Sequence, residues 1–392
     1  RVPVSASATP ELVSKWSSTI QDFTIANDGA VLFTSPWQGG FPLHRVSPAD
    51  KRHNPVIEGP VGVQVFDEGA GRIVYALTQI DNPNELYLRD KDGSTRRLTT
   101  LNTEWLASRQ LATAQEKWIT RPDGLKVQTW VMNPTRTESN RKYPWVLDIH
   151  GGPTAMWGPG EFSMWHEFQL LCAWGYGVVY SNPRGSGGYG YDFQRANFKN
   201  WGEKPAGDVL AALDEAVRTN PLIDRDRLFI TGGSYAGYLT AWIIGHDHRF
   251  KAAVAQRGVY HLTTFYGEGN AFFLVKNAFG GRPYEDATRP LLDQQSPFTY
   301  ASEIRTPFLI IHGSSDLRTG VTQSEMLYRA LKDMGKPVEY IRYPGAGHEL
   351  TRSGDPLQRM DHALRIIEFF ERYANNQSPA PVFIGNSTAG SQ

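Results

Sequence analysis

The segment TGGSYAGY, Thr231 to Tyr238, decides how this chain is read. An apolar run, RLFI, leads into it and a second apolar stretch, YLTAWIIG, overlaps its end. A serine therefore stands between a strand signal and a helix signal. Small residues on both sides of Ser234 let the backbone reverse sharply, so the hydroxyl would stand clear at the strand's end with a helix N-terminus behind it. Ala236 occupies the last place of the G-x-S-x-G pattern, and Gly237 follows it. A glycine-rich turn with an idle serine would need no partners. A nucleophilic serine needs a base, and a third group to hold that base in the right tautomer.

Both partners occur downstream in suitable places. PFLIIHGSSD is an apolar strand whose following loop carries Asp316, and VEYIRYPGAGHE is the next strand, whose loop carries His348. Sites in parallel sheets gather at the carboxyl ends of strands, which is where Ser234, Asp316 and His348 would all fall. Asp333 is a competing acid, but LYRALKDMG places it on a helix with a solvated face. A tetrahedral oxyanion would also need donors. WVLDIHGGP ends a strand in a histidine and two glycines, which makes Gly152 N–H and Tyr235 N–H the expected pair, with His150 shaping the loop.

Around these motifs the chain divides in two. From about Ala30 to Thr100 the runs AVLFTS, VGVQVF, RIVYALT, ELYLRD and TRRLTT alternate with turn signals such as NDG and KDG. They predict about two four-stranded antiparallel sheets of β-propeller type over residues 1–112. Two blades cannot close a ring, so the remaining blades are expected to have been cut away or to lie on a separate N-terminal fragment. After Glu116, strands alternate with amphipathic helices, among them Ala206 to Thr219, Tyr235 to Gly245, Gln323 to Met334 and Gln358 to Tyr373. That pattern predicts an α/β domain with a mostly parallel sheet over 113–375. Residues 376–392 turn to Asn, Ser, Pro and Gly and read as a flexible tail, in which Asn386-Ser387-Thr388 is a chance match to the glycosylation pattern.

Composition bounds the partners. The 392 residues are 40% hydrophobic and 12% aromatic, enough for well-buried cores. Forty basic residues balance forty acidic ones, so no net field favours nucleic acid or an anionic membrane. The least polar long segment, LLCAWGYGVVYS, Leu170 to Ser181, is too short to cross a bilayer and reads as core. Cys172 is the only cysteine, which excludes an internal disulfide and a cysteine-rich zinc site. The first residue is Arg1 with no charged-then-apolar leader; the expected compartment is the cytoplasm or, after removal of a signal peptide, the bacterial periplasm.

HGGPTAMWG, WGYGVVYSNPRGSGGYGYDF, GGSYAGY, HGSSDLRT and YPGAGHE resemble, in this order, the catalytic domain of the prolyl oligopeptidase family of serine peptidases. Within that family they are most similar to the branch of acylaminoacyl peptidases and bacterial dipeptidyl aminopeptidases, where HGGP replaces the tyrosine-bearing loop of prolyl-specific members. The resemblance runs from about Glu116 to Tyr373 and implies an α/β-hydrolase fold with a propeller that admits short peptides. It implies Ser234, Asp316 and His348 as the triad, Gly152 and Tyr235 as oxyanion donors, and Val259, Tyr266 and Phe273 as the pocket wall. Some relatives clamp a substrate carbonyl with an arginine directly before a Ser-Pro pair; Gln295 stands there in this chain, with Arg257 as the substitute.

The expected activity is hydrolysis of short peptides through an acyl-enzyme, of dipeptidyl aminopeptidase or acylaminoacyl peptidase type, with no cofactor and no metal. The alternatives are a carboxylesterase, which would use the same triad, and an interaction module without catalysis. A homo-oligomer is left open. Gly185, Gly187 and Gly190 satisfy G-x-G-x-x-G, but Pro183 and Arg184 separate them from the strand and no clean helix opens at the third glycine. His246-Asp247-His248 follows a helix as a polar loop and reads as surface.

Overall fold

The computed structural model describes Leu12 and residues 14–375. The tail expected over 376–392, with its Asn386-Ser387-Thr388 sequence, lies outside them. Two four-stranded antiparallel sheets come first. One runs β1 (Asp22–Ile25), β2 (Val31–Thr34), β3 (Leu43–Val46) and β4 (His53–Ile57); the other runs β5 (Gly62–Gly69), β6 (Arg72–Gln79), β7 (Asn82–Arg89) and β8 (Thr95–Arg97). The NDG turn closes β1 on β2 and the KDG turn closes β7 on β8. Each has its glycine at positive φ, 81° for Gly29 and 85° for Gly93, the conformation such turns require. Leu32 and Leu43 of the first sheet share one core with Val63, Tyr75 and Leu77 of the second.

The third sheet contains β9 (Ala114–Thr120), β10 (Lys126–Met132), β11 (Tyr143–Ile149), β12 (Gly177–Asn182), β13 (Ile223–Gly233), β14 (Ala252–Gln256), β15 (Phe308–Gly313) and β16 (Val338–Tyr343). Its order is β16-β15-β14-β13-β11-β12-β10-β9. All neighbours from β16 to β12 are parallel, and β10 and β9 add an antiparallel edge. The central strands are buried along their length, as strands covered on both faces must be. Helices Glu203–Thr219, Tyr235–Ile244 and Thr322–Asp333 cover one face. Helices Trp165–Ala173 and Pro356–Ala374 cover the other. LLCAWGYGVVYS divides between the end of Trp165–Ala173 and β12; most of its apolar residues enter the second core and Val179 the first, while Trp174 is half exposed. No helix among the described residues is long and apolar enough to cross a membrane.

This is an α/β-hydrolase fold with a mostly parallel sheet, preceded by a partial all-β region of propeller type. The two parts touch backbone to backbone. A methyl group added at Gly158 would lie 1.9 Å from Gly39 O, and one at Gly62 would lie 2.0 Å from Gly160 O. Trp165 Nε1 and Gln169 Nε2 donate to Ile80 O at 2.9 and 3.0 Å. Just past β12, Arg184 grips the fully buried Asp208 through its backbone N–H at 3.0 Å, Nε at 2.7 Å and Nη2 at 2.9 Å, and Arg121 Nε adds a fourth bond at 3.0 Å. These bonds tie the PRGSGG loop to the helix Glu203–Thr219.

Candidate active site

Strand β11 lies between β12 and β13, so the connection from β11 to β12 and the next, from β12 to β13, run in opposite directions along the sheet and a crevice opens at the carboxyl ends of β11 and β13. Ser234 closes β13 and caps the helix Tyr235–Ile244, with φ 63° and ψ −122°. Few non-glycine residues adopt this backbone, and it is the strained turn of a nucleophile elbow. The elbow holds because its neighbours are small. A methyl group at Gly237 would come within 2.8 Å of Gly258 Cα and 2.9 Å of Gln256 O, and Ser234 N–H donates to that same Gln256 carbonyl at 2.8 Å.

The loops after β15 and β16 bring the other two side chains to this point. His348 Nε2 is 3.0 Å from Ser234 Oγ, and its Nδ1 is 2.7 Å from Asp316 Oδ2. Asp316 Oδ1 accepts the backbone N–H groups of Arg318 at 2.8 Å and Thr319 at 3.0 Å. Burial alone would raise the Asp316 carboxyl; hydrogen bonds from His312, His348 and Thr319 hold it far below the usual carboxylate range. A carboxylate fixed in this way accepts from Nδ1–H and leaves the Nε2 lone pair facing the serine. His348 is itself lowered, chiefly by burial; Asp316 works against that, while the Arg257 and Arg352 cations add to it. The imidazole is therefore neutral at pH 7, as a base must be.

The HGGP loop follows β11 and packs against the elbow: a methyl group at Gly151 would lie 3.0 Å from Gly233 O and 3.3 Å from Ser234 Cβ. His150 is buried and bonds Gly151 O at 2.7 Å and Ser186 Oγ at 2.8 Å, which joins this loop to the PRGSGG loop. Burial holds its pKa down to about 4, so it is a neutral strut. Gly152 and Tyr235 both line the cavity beside Ser234. The Tyr235 N–H belongs to the first turn of a helix, where no intrahelical acceptor exists.

That cavity measures about 650 Å³ and is lined by Ser234, His348, Val259 and Phe273 among others. Tyr266 is not brought to it. The helix Leu262–Gly267 turns the preceding residue, Phe265, inward, and successive helical residues face about 100° apart, so Tyr266 packs instead near Phe272 and Tyr284. Sequence reasoning missed Trp201, Phe265 and Leu274 on the apolar side, and Arg318 and Arg352. Arg318 had a signal, since it sits two residues past Asp316 in the quoted HGSSDLRT. Gln295 is buried elsewhere, accepting the N–H groups of Trp201 and Gly202 at 2.9 and 3.1 Å, whereas Arg257 does line the cavity. His246 stacks on Trp242 and bonds its carbonyl, and Gly190 opens only a five-residue helix.

A nucleophile elbow after β13, with acid and base from the loops of β15 and β16, is the chain order of the α/β-hydrolase class of serine enzymes. The chain belongs to the prolyl oligopeptidase family, whose model matches residues 161–377. It is similar to the uncharacterized peptidase YuxL of Bacillus subtilis, 40% identical over 301 residues, which are 76% of this chain and 45% of that protein. It is similar as well to dipeptidyl-peptidase 5 of Porphyromonas endodontalis, 28% identical over 78% of this chain and 45% of the relative. Among solved structures, the acylaminoacyl peptidase of Pyrococcus horikoshii superposes with a TM-score of 0.84 at 30% identity, over 93% of this chain and 57% of that one. The chain thus spans about half the length of the curated relatives it matches.

Proposed function

We propose that this chain is the catalytic part of a serine peptidase acting on short peptides, of dipeptidyl aminopeptidase or acylaminoacyl peptidase type. The observation that carries the reading is the continuous line from Ser234 Oγ through His348 to Asp316, with contacts of 3.0 and 2.7 Å. His348 takes the hydroxyl proton as Ser234 attacks the carbonyl, and the Gly152 and Tyr235 N–H groups receive the oxyanion. His348 then gives the proton to the leaving amine, and water repeats the sequence on the acyl-enzyme. Val259 and Phe273 offer an apolar wall for the residue before the scissile bond, and Arg318 offers a cation to a substrate carbonyl.

In this reading the described residues up to 112 form two blades and 113–375 the hydrolase domain. Further blades, carried outside this sequence, would complete the cover. A fluorophosphonate probe should label Ser234, labelling should vanish in Ser234→Ala, and aminoacyl-p-nitroanilides should be turned over. Ester turnover without any amide cleavage would replace the peptidase reading with a carboxylesterase.

A further inference from the structure

Ser234 stands between two unlike walls. Along β11, Leu147 and Ile149 enter the core on one face of the sheet, while Val146 enters the core on the other. Alternation therefore turns Asp148 to the second face. There it faces Glu167 of the helix Trp165–Ala173, and both line the same cavity as Ser234 and His348. Asp148 is 1% exposed and Glu167 9%. Three of their four carboxyl oxygens, both of Asp148 and Oε1 of Glu167, have no hydrogen-bond partner among the described residues. A buried polar group left without a hydrogen-bond partner is costly. Arg257, the cation on this wall, is near enough to favour the ionised form of Glu167, but its terminal nitrogens bond Gln256 at 3.4 Å and Thr351 at 3.1 Å and neither acid.

We propose that Asp148 and Glu167 form a subsite for a primary ammonium group of the substrate, inside the nucleophile's own cavity. An ammonium carries three N–H donors and no acceptor, which matches three free carboxyl oxygens. An anionic group would oppose the ionisation of either acid, and an apolar group would leave their polar atoms unpaired. Burial raises both acids, Glu167 to about 7, and a cation between them would favour their ionised forms. The subsite deepens the peptidase reading and rests on it. The ammonium is either the free amino terminus of a peptide or the end of a lysine-type side chain.

Calorimetric titration with n-butylammonium chloride, against sodium chloride and n-pentanol, reads the subsite without turnover. Saturable binding of the ammonium alone is expected, weakened tenfold or more in Glu167→Gln and Asp148→Asn. Absence of saturable binding to the parent protein overturns the proposal whatever the variants do. Matched nitroanilides then separate the sources: one pair differs in a free against an acetylated amino terminus, the other in lysine against norleucine. The variants should reduce the kcat/KM preference for the amine at least tenfold, in the first pair if the source is the terminus and in the second if it is the side chain. Preferences unchanged in variants whose Ser234 still takes up fluorophosphonate overturn it. A parent that takes up no probe defeats the hydrolase reading alone, and calorimetry still judges the subsite.

Discussion

Replacing Asp316 by asparagine should abolish most turnover while leaving the fold intact, and the hydrogen bonds say why. Oδ1 receives two backbone N–H groups, at 2.8 and 3.0 Å, and these can only donate. The amide oxygen of the substituted side chain must take that place. Its NH2 group then occupies the position of Oδ2, 2.7 Å from His348 Nδ1, and donates where the carboxylate accepted. His348 is driven to the tautomer with its proton on Nε2, which cannot accept the proton of Ser234 3.0 Å away. A wrong tautomer in otherwise intact geometry lowers kcat by about 10⁴, or ~5.5 kcal/mol of barrier. Turnover of a short-chain p-nitrophenyl ester, with thermal unfolding as the control, is the assay. Asp316 is absent from the cavity lining, so the loss should fall on kcat rather than KM. A folded Asp316→Asn variant within tenfold of the parent would refute the tautomer argument.

Three other outcomes are expected. A base must be neutral to act, and His348 is lowered from 6.5 by burial and by Arg257 and Arg352; activity should therefore persist as pH falls toward neutrality and drop only below 6.5, so a kcat/KM profile with its acid midpoint above 7 would contradict this electrostatic account. Gly237→Ala presses a methyl group onto backbone atoms at 2.8 and 2.9 Å and should destabilise the protein by about 1–3 kcal/mol in denaturant unfolding. Arg184→Met leaves Asp208 buried with Arg121 as its remaining cation and should cost about 3 kcal/mol or more; a loss below about 1 kcal/mol would show that the pair contributes no more than a surface bridge.

What could be read in advance follows from how local each signal is. Ser234, Asp316 and His348 each end or follow an apolar strand, so short windows expose them, and the one long-range step is that neighbouring strands end at the same rim. Five strands of the all-β region were legible because their apolar runs alternate. Strands β1, β3 and β4 were not singled out: LHRV and HNPVI carry histidine, arginine, asparagine and proline, and pairing with the neighbouring strands defines them. Strand β9, AQEKWIT, is an edge strand with a largely exposed pattern, and no apolar run announces it. Tyr266 was misplaced through helix phase, one residue from Phe265. Asp148 and Glu167 gave no warning, because nothing in either window tells that a strand acid and a helix acid meet behind a serine.

The glycine contacts Gly39–Gly158 and Gly62–Gly160 leave no clearance between the leading sheets and the segment that continues from HGGP. Shortening the chain to start at residue 113 would strip partners from Trp165 and Gln169 and unclamp the stretch leading from the HGGP loop. For anyone engineering this protein, the leading sheets are part of the scaffold on which the hydrolase sheet's loops rest.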